Sequence, residues 1–272
     1  MTPEKCLQYL GLADYAPPIG LRLRRAAVLL FGNKPETHHP RIQVRILRIN
    51  GTELGTGANY NVTADDTVRG NIIELREQAW EKLWTHLVQT QLAGSARFEV
   101  TYIYPELACQ EALVNAIAHR DYSDEGRGIE IFVFNDRIEI RNPGGLLSPI
   151  TVDDLKAMKG AHQSRNSYVA RTLREVGYMR ELGEGMRRIH ELMKSNELAP
   201  PKIDSDGEIF GLSLFHRAMY SQDEILWLEQ YASFGLLRNK KQLYYLVAKE
   251  TLSRLKTSGT AWGLSIRSTI VG

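Results

Sequence analysis

The pattern that most restricts the fold of this chain is a predicted β-hairpin between residues 129 and 141. A two-residue period runs over Ile129–Phe134 and again over Arg137–Arg141, and Asn135-Asp136 between them is typical of a tight turn. Two strands joined in this way are antiparallel neighbours in one sheet. Because helical patterns flank the hairpin, at Glu106–His119 before it and at Gly185–Lys194 after it, the sequence predicts a sheet combined with helices.

Other elements are predicted from the same two periods, two residues for a strand and three to four for a helix. Two further stretches, Leu54–Asp66 and Leu198–Pro201, are predicted to be loops because turn-forming residues dominate them. The remaining predicted strands are Arg41–Ile49, Arg97–Tyr104 and Ile209–Phe215, and the remaining helices are Leu21–Phe31, Val68–Leu92, Val152–Met158 and Tyr168–Val176.

Composition excludes several classes of protein. With 272 residues, of which 43% are hydrophobic and 24% charged, the chain can bury a core and is not disordered. Its net charge of only +2 means that any contact with nucleic acid would need a local basic patch. The two cysteines lie far apart, which argues against a structural zinc and for a reducing compartment. Without a signal peptide or an apolar run of about 20 residues, we expect a cytoplasmic protein with no membrane contact.

The predicted helix Glu106–His119 carries a polar stripe, formed by Glu111, Asn115 and His119 at intervals of four residues. Apolar side chains such as Leu113 fall on a different face. Asn is unfavourable inside a helix because its side chain competes for backbone hydrogen bonds, so a compensating contact is expected at Asn115. The stripe alone fits two interpretations equally well, a solvated face of an amphipathic helix or a functional site.

Two glycine-containing segments accompany the stripe. Leu182-Gly-Glu-Gly185 leads directly into a predicted helix, whose free N–H groups favour an anion, so it is either a phosphate-binding loop or an ordinary helix start. Asn142-Pro-Gly-Gly145, taken alone, is a turn that closes the hairpin. No P-loop motif and no Gly-x-Gly-x-x-Gly motif occurs in the sequence.

The order of these motifs resembles the ATP-binding module shared by gyrase, histidine kinases and MutL, the GHKL superfamily. More closely, four segments within residues 106–215 are similar to the divergent GHKL-type domain of bacterial RecG-related transcriptional regulators. These segments are Glu111–Tyr122, Ile138–Leu146, Ser164–Asn166 and Glu181–Ile189. The resemblance implies an α+β fold of the Bergerat type, a two-layer α/β sandwich with a mixed, mainly antiparallel sheet backed by helices.

The resemblance assigns roles to the polar stripe. Glu111 would orient or deprotonate the attacking water, which makes it the candidate catalytic residue. Asn115 would hold the Mg²⁺ that bridges the phosphates and is the one candidate metal ligand, while His119 belongs to the nucleotide-binding residues. The implied cofactors are therefore ATP and Mg²⁺.

The resemblance also assigns roles to the glycine segments. Asn142 occupies the position of the aspartate that accepts a hydrogen bond from the adenine amino group, Gly144 would line the base, and Gly145 is a further nucleotide-binding candidate. Gly183 and Gly185 would let backbone N–H groups meet the phosphates. The superfamily motif Asp-x-Gly-x-Gly reads Asn-Pro-Gly-Gly-Leu here, so an amide replaces the carboxylate, although its oxygen still accepts a hydrogen bond.

We expect three parts: an N-terminal α/β segment at residues 1–95, the ATP-binding domain at 96–217, and a helical tail at 218–272. The tail is interpreted either as a solvated pair of helices, which the sequence favours, or as an incomplete winged helix. We expect an ATP-binding regulatory protein in which nucleotide acts as a conformational switch by ordering residues 147–180. It would be at most a slow ATPase. Helicase activity is not expected because a Walker lysine is missing, and His119-Arg-Asp121 lacks the companion motifs of a protein kinase.

Two alternatives stay open from the sequence. The fold could serve as a nucleotide-independent scaffold for dimerisation or for DNA-linked transcriptional control, an alternative favoured by Asn142 and Pro143. DNA binding could use Arg22, Arg24 and Arg25 or the lysines of the tail. A homodimer and DNA are therefore the partners considered beside the nucleotide.

Overall fold

The elements of the chain follow one another as short strands and helices. The computed structural model describes residues 2–93, 97–157, 163–180 and 183–219. The strands are β1 (Ala13–Ala16), β2 (Gly20–Leu23), β3 (Gln43–Ile49), β4 (Val62–Arg69), β5 (Val88–Ala93), β6 (Arg97–Tyr102), β7 (Ile129–Val133), β8 (Arg137–Pro143), β9 (Lys202–Ser205) and β10 (Ile209–Phe215). The helices are α1 (Pro3–Tyr9), α2 (Arg25–Phe31), α3 (Ile72–Leu87), α4 (Glu106–His119), α5 (Val152–Lys156), α6 (Ser167–Glu175) and α7 (Gly185–Ser195).

The central element is a mixed sheet with the strand order β4-β3-β7-β8-β10-β9. All its neighbouring strands are antiparallel except β3 and β7, which are parallel. The strand pairs β1–β2 and β5–β6 form two separate small sheets. Helices pack on the sheet, and this confirms the predicted α+β fold in which a mixed, mainly antiparallel sheet is backed by helices.

The alternation of side chains along β8 determines which residues reach the helices. Ile138, Ile140 and Asn142 are buried, whereas Arg141 between the last two is exposed. On the helical side, α4 is buried along most of its length, including Leu113 and Ile117. The core therefore lies between the sheet and α4, and Asn142 is on the face of the sheet that packs against α4.

Several element predictions agree with the structure. The helix Glu106–His119 and the strand Ile209–Phe215 have the predicted bounds, and the hairpin forms with its turn at Asn135-Asp136. The prediction for α7 differs from its observed bounds by one residue. Period and turn signals are strong in these elements, so local sequence was sufficient to place them.

The helix predicted at Val68–Leu92 has different bounds in the structure, at both ends, and the loop predicted before it is partly a strand. Val62–Arg69 is strand β4 rather than part of a loop and a helix, and it pairs with β3 along its length. The helix begins at Ile72 because Asn71 and Glu74 form a capping box. It ends at Leu87, where β5 begins and pairs with β6. At both ends of the helix, pairing between strands outweighed the helical period of the sequence.

Three short strands, β1, β2 and β9, were also missed. Gly20–Leu23, predicted as the start of a helix, is strand β2 paired with β1, and the helix begins only at Arg25. Strand β9 follows the predicted loop at residues 198–201 and pairs with β10. All three strands are four residues long, too short for a period to reveal them.

The three-part organisation remains a prediction. Strands β3 and β4, from residues 1–95, lie in the same sheet as β7, from residues 96–217. The predicted tail lies outside the described residues except for Ala218 and Met219. Within the described ranges, no helix is both long enough and apolar enough to cross a membrane.

Candidate functional site

A pocket of about 920 Å³, counting its open mouth, lies between α4, the N-terminus of α7 and the inner face of β8 and β10. We call it the central pocket. Seven of the eight candidate residues line it: Asn115, His119, Asn142, Gly144, Gly145, Gly183 and Gly185. The fold thus brings together segments that are up to 70 residues apart in sequence.

Asn142 contributes an unpaired acceptor to the central pocket. Its Nδ2 donates to the carbonyl oxygen of Ala116 at 3.0 Å, while its buried Oδ1 has no hydrogen-bond partner among the described residues. The reverse orientation of the amide would place two oxygens against each other, so the hydrogen bond to Ala116 assigns the orientation. A buried acceptor without a partner costs about 1–3 kcal/mol. A ligand with an N–H donor would satisfy this oxygen.

Gly144 and Gly145 form a turn that requires glycine for packing. Gly144 has a φ of 102°, and a Cβ there would lie 2.9 Å from the Cβ of Asp121. A Cβ on Gly145 would lie 2.4 Å from the carbonyl oxygen of Gly207. These contacts leave no space for a side chain, so the turn approaches its neighbours through bare backbone.

Gly185 brings α7 directly against the polar stripe. A Cβ on Gly185 would lie 2.6 Å from Nδ2 of Asn115 and 2.9 Å from Oε1 of Glu111. The residue before it, Glu184, makes no side-chain capping hydrogen bond to the helix. The first-turn N–H groups of α7 therefore face this end of the central pocket without a side-chain cap.

Glu111 does not line the central pocket but lies beside it. Its Oε2 is 3.4 Å from Nη1 of Arg188, and its side chain is only 10% exposed. Burial raises the pKa of Glu111, while the charges of Arg188 and Arg180 act in the opposite direction. The structure thus holds a mostly buried carboxylate, paired with Arg188, one helical turn before Asn115.

His119 lies at the other end of the stripe, at the pocket wall. Burial, together with the nearby charge of Arg165, lowers the pKa of His119 below its usual value of 6.5. The imidazole is therefore neutral at pH 7. It offers one donor and one acceptor to a ligand and no positive charge.

Arg165 lines the central pocket but was absent from the residues predicted for it. Its Nη2 donates to the carbonyl oxygen of Gly145 at 2.7 Å, and its Nη1 lies 3.1 Å from Oδ2 of Asp121. The next residue, Asn166, donates to the carbonyl oxygens of Ala118 and Arg120 at the end of α4. The signal was present, because Ser164–Asn166 was one of the four segments that carried the resemblance.

The arginines considered for DNA binding lie away from the central pocket, on β2 and α2 and the residue between them. All three, Arg22, Arg24 and Arg25, are exposed. Arg24 pairs with Asp14 at 2.6 Å and also lies over the ring of Tyr168. Within the described ranges, no group of three or more His, Cys, Asp or Glu residues could hold a metal ion.

Comparison with known families gives one match. Residues 126–214 match the family described as "Putative ATP-dependent DNA helicase recG C-terminal". The matched part begins just before β7 and extends into β10, so it includes the glycine turn and α7. This confirms the predicted RecG-related ATPase-like domain.

Comparison with solved structures gives a likeness of fold. The DIP2311 protein from Corynebacterium diphtheriae is similar, with a TM-score of 0.64 and 22% sequence identity. The similarity covers 84% of this chain and 43% of that protein, so this chain corresponds to less than half of that protein's length. A search of curated proteins gave no significant match.

Proposed function

We propose that this chain binds an adenine nucleotide with Mg²⁺ in the central pocket, and that the nucleotide acts as the switch of a RecG-related regulatory protein. The observation that carries the proposal is the buried, unpaired Oδ1 of Asn142 in a pocket lined by the other binding candidates. The match of residues 126–214 to an ATPase-like family supports the same class of ligand.

The residues around Asn142 fit an adenine base. The exocyclic amino group of adenine is a donor, which is what Oδ1 of Asn142 lacks. Apolar side chains beside it, Ile140, Leu212 and Phe210, offer a surface for a planar ring. Because Asn142 is neutral, this hydrogen bond would be roughly half as strong as one to a carboxylate.

The residues around Gly185 fit the phosphates. The uncapped N–H groups at the start of α7 and the bare backbone of Gly183 would bind phosphate oxygens. The side-chain oxygen of Asn115 would bind Mg²⁺, a cation that prefers oxygen ligands and commonly takes few of them from the protein.

Any hydrolysis would depend on Glu111. Bound Mg-ATP supplies a phosphoanhydride bond, and Glu111 is the carboxylate beside Asn115 that would orient a water or accept its proton. Arg188 holds one of its carboxylate oxygens, which would have to be released to act on a water, so we propose slow turnover at most. The sequence has no Walker lysine, so the proposal does not include helicase activity.

The switch would involve residues 147–180, which we call the lid segment. Its described part includes α5 and α6, and Leu147, Leu155 and Arg165 reach the central pocket. A ligand that contacts these side chains would favour one arrangement of the segment.

Calorimetric titration of a Mg-bound, non-hydrolysable ATP analogue tests the proposal. We expect saturable binding by the wild type and a loss of about tenfold or more in affinity for Asn115→Ala. Gln110→Ala is the matched control, because Gln110 lies on the same helix but bonds Glu106 rather than lining the central pocket. A guanine nucleotide should bind more weakly, since guanine presents a carbonyl oxygen to Asn142 where adenine presents its amino group.

The same titration also distinguishes nucleotide binding from the alternative of a nucleotide-independent scaffold. If the wild type binds neither nucleotide, and its melting temperature does not depend on nucleotide while it forms a stable homodimer, the nucleotide proposal is wrong. The fold would then serve dimerisation or DNA-linked control without a ligand.

A further inference from the structure

An ion pair between α4 and α7 lies beside the phosphate end of the central pocket. Arg188 lies one turn after Gly185, and Glu111 lies one turn before Asn115, so the pair continues the close contact between the two helices. The atoms Nη1 of Arg188 and Oε2 of Glu111 are 3.4 Å apart. This distance is long for a charge-assisted hydrogen bond, which is usually 2.7–2.9 Å.

Arg188 differs from the arginine next to it in the same turn. Arg187 pairs with Glu184 and Glu191, both on or beside its own helix, and its side chain is 48% exposed. Arg188 instead points to the polar stripe, with 25% of its side chain exposed. A cation in the first turn of a helix is unfavourable to the helix dipole, so Arg188 is not there to stabilise α7.

Most of the N–H donors of Arg188 have no partner among the described residues. A guanidinium carries five N–H donors, yet within the described part of the chain Glu111 is its one ionic partner. The exposed quarter of the side chain leaves a second oxyanion room to approach. Glu111, the partner of Arg188, lies with Asn115 around Gly185, where we propose that the phosphates bind.

Electrostatics require a cation between such an anion and Glu111. A phosphate next to a carboxylate that is only 10% exposed would be repelled, since nearby charges interact strongly where water is excluded. Arg180 is the other arginine whose charge acts on Glu111, but its side chain is exposed. Arg188 is therefore better placed to separate the two negative groups.

We propose that Arg188 binds the terminal phosphate of a nucleoside triphosphate while it remains on Glu111, and so makes the central pocket prefer a triphosphate to a diphosphate. This inference rests on the proposed nucleotide binding. Arg188 would then be the cation that contacts the terminal phosphate. The sequence had assigned no residue to this role because no lysine lies near the glycine segments.

The test compares two ligands on three proteins. Mg-bound non-hydrolysable ATP analogue and Mg-ADP are titrated calorimetrically into the wild type, Arg188→Gln and Arg187→Gln. We expect Arg188→Gln to weaken binding of the triphosphate about tenfold or more and to change ADP affinity less than about twofold, as expected for one lost charge-assisted contact. Arg187→Gln should keep the wild-type ratio of the two affinities.

Titration results that differ from these expectations would overturn the inference. An unchanged triphosphate-to-diphosphate ratio in Arg188→Gln, or equal weakening of both ligands, would show that Arg188 does not contact the terminal phosphate. Melting temperatures without ligand identify a variant that is simply less folded, and Arg188→Lys should then restore part of the preference. If the wild type binds neither ligand, the proposed function fails as well, and the two failures are thus distinguished.

Discussion

At the scale of single residues, Glu111 is a buried carboxylate under opposing influences. Burial raises its pKa, and the positive charges of Arg188 and Arg180 lower it, with burial the larger effect. The folded protein therefore holds a proton on Glu111 more tightly than the unfolded chain does. This contribution to stability is complete below about pH 4.5 and is lost as the pH rises through the folded-state pKa.

Glu111→Gln should remove this pH dependence. Because the amide stays neutral, we expect the melting temperature of the variant relative to the wild type to be higher at pH 7.5 than at pH 4, by roughly 2–4 °C for each kcal/mol involved. Thermal unfolding of both proteins across this pH range checks the expectation. A constant difference between the two proteins would show that burial does not perturb the carboxyl.

Asn142→Asp tests the amide at the position where the sequence resemblance places an aspartate. The introduced carboxylate cannot donate to the carbonyl oxygen of Ala116, so we expect a lower melting temperature without ligand, by an amount that grows as the pH rises above about 4. A charged acceptor would bind an adenine amino group more strongly. We therefore expect the ATP analogue to raise the melting temperature of the variant more than that of the wild type. Equal shifts would argue against a contact between residue 142 and adenine.

At the scale of elements, α4 and α7 pack closely at the end of the central pocket where we propose that the phosphates bind. Gly185 allows this packing, since any side chain there would meet Asn115 and Glu111 at under 3.0 Å. The helix that would supply N–H groups to the phosphates is thus placed by a contact with the stripe that would supply the metal ligand. The same contact brings Arg188 to Glu111.

Gly185→Ala should disturb both packing and binding. We expect a loss of about 1–3 kcal/mol in the free energy of unfolding, the usual cost of overpacking, together with loss of nucleotide binding. The matched control is Gly126→Ala, since Gly126 is exposed and a Cβ there meets its nearest atom at 3.5 Å. Chemical denaturation and calorimetry measure the two effects. Full binding by Gly185→Ala would mean that the phosphates do not lie at this end of α7.

At the scale of the whole molecule, one sheet connects the parts of the site. Strand β3 lies parallel to β7, so residues from the first part of the chain extend the sheet that carries Asn142 on β8. The lid segment follows β8 and returns to the sheet through α7, β9 and β10. A ligand in the central pocket therefore touches both the sheet and the lid segment.

Nucleotide binding should protect the lid segment. We expect Mg-bound ATP analogue to slow proteolysis and amide exchange within residues 147–180, while the exchange of β3 and β4 changes little. Asn115→Ala is the control that should show no protection at the same ligand concentration. Protection spread evenly over the chain would indicate general stabilisation rather than a switch.

The sequence by itself determined the elements whose signals are local. The polar stripe on α4, the hairpin of β7 and β8 and the start of α7 follow from side-chain period, turn residues and glycines, which act between near neighbours. The order of these motifs was sufficient to identify the RecG-related ATPase-like domain, which the family match confirms.

Only the tertiary structure decided the features that depend on distant partners. Strands β4 and β9 exist because β3 and β10 supply their hydrogen bonds, and their own residues carry no strong strand signal. The unpaired Oδ1 of Asn142 results from a hydrogen bond to Ala116, 26 residues away. Arg188 meets Glu111 across 77 residues of chain. Such contacts depend on how helices and sheet pack, and packing is a property of the whole fold rather than of any segment.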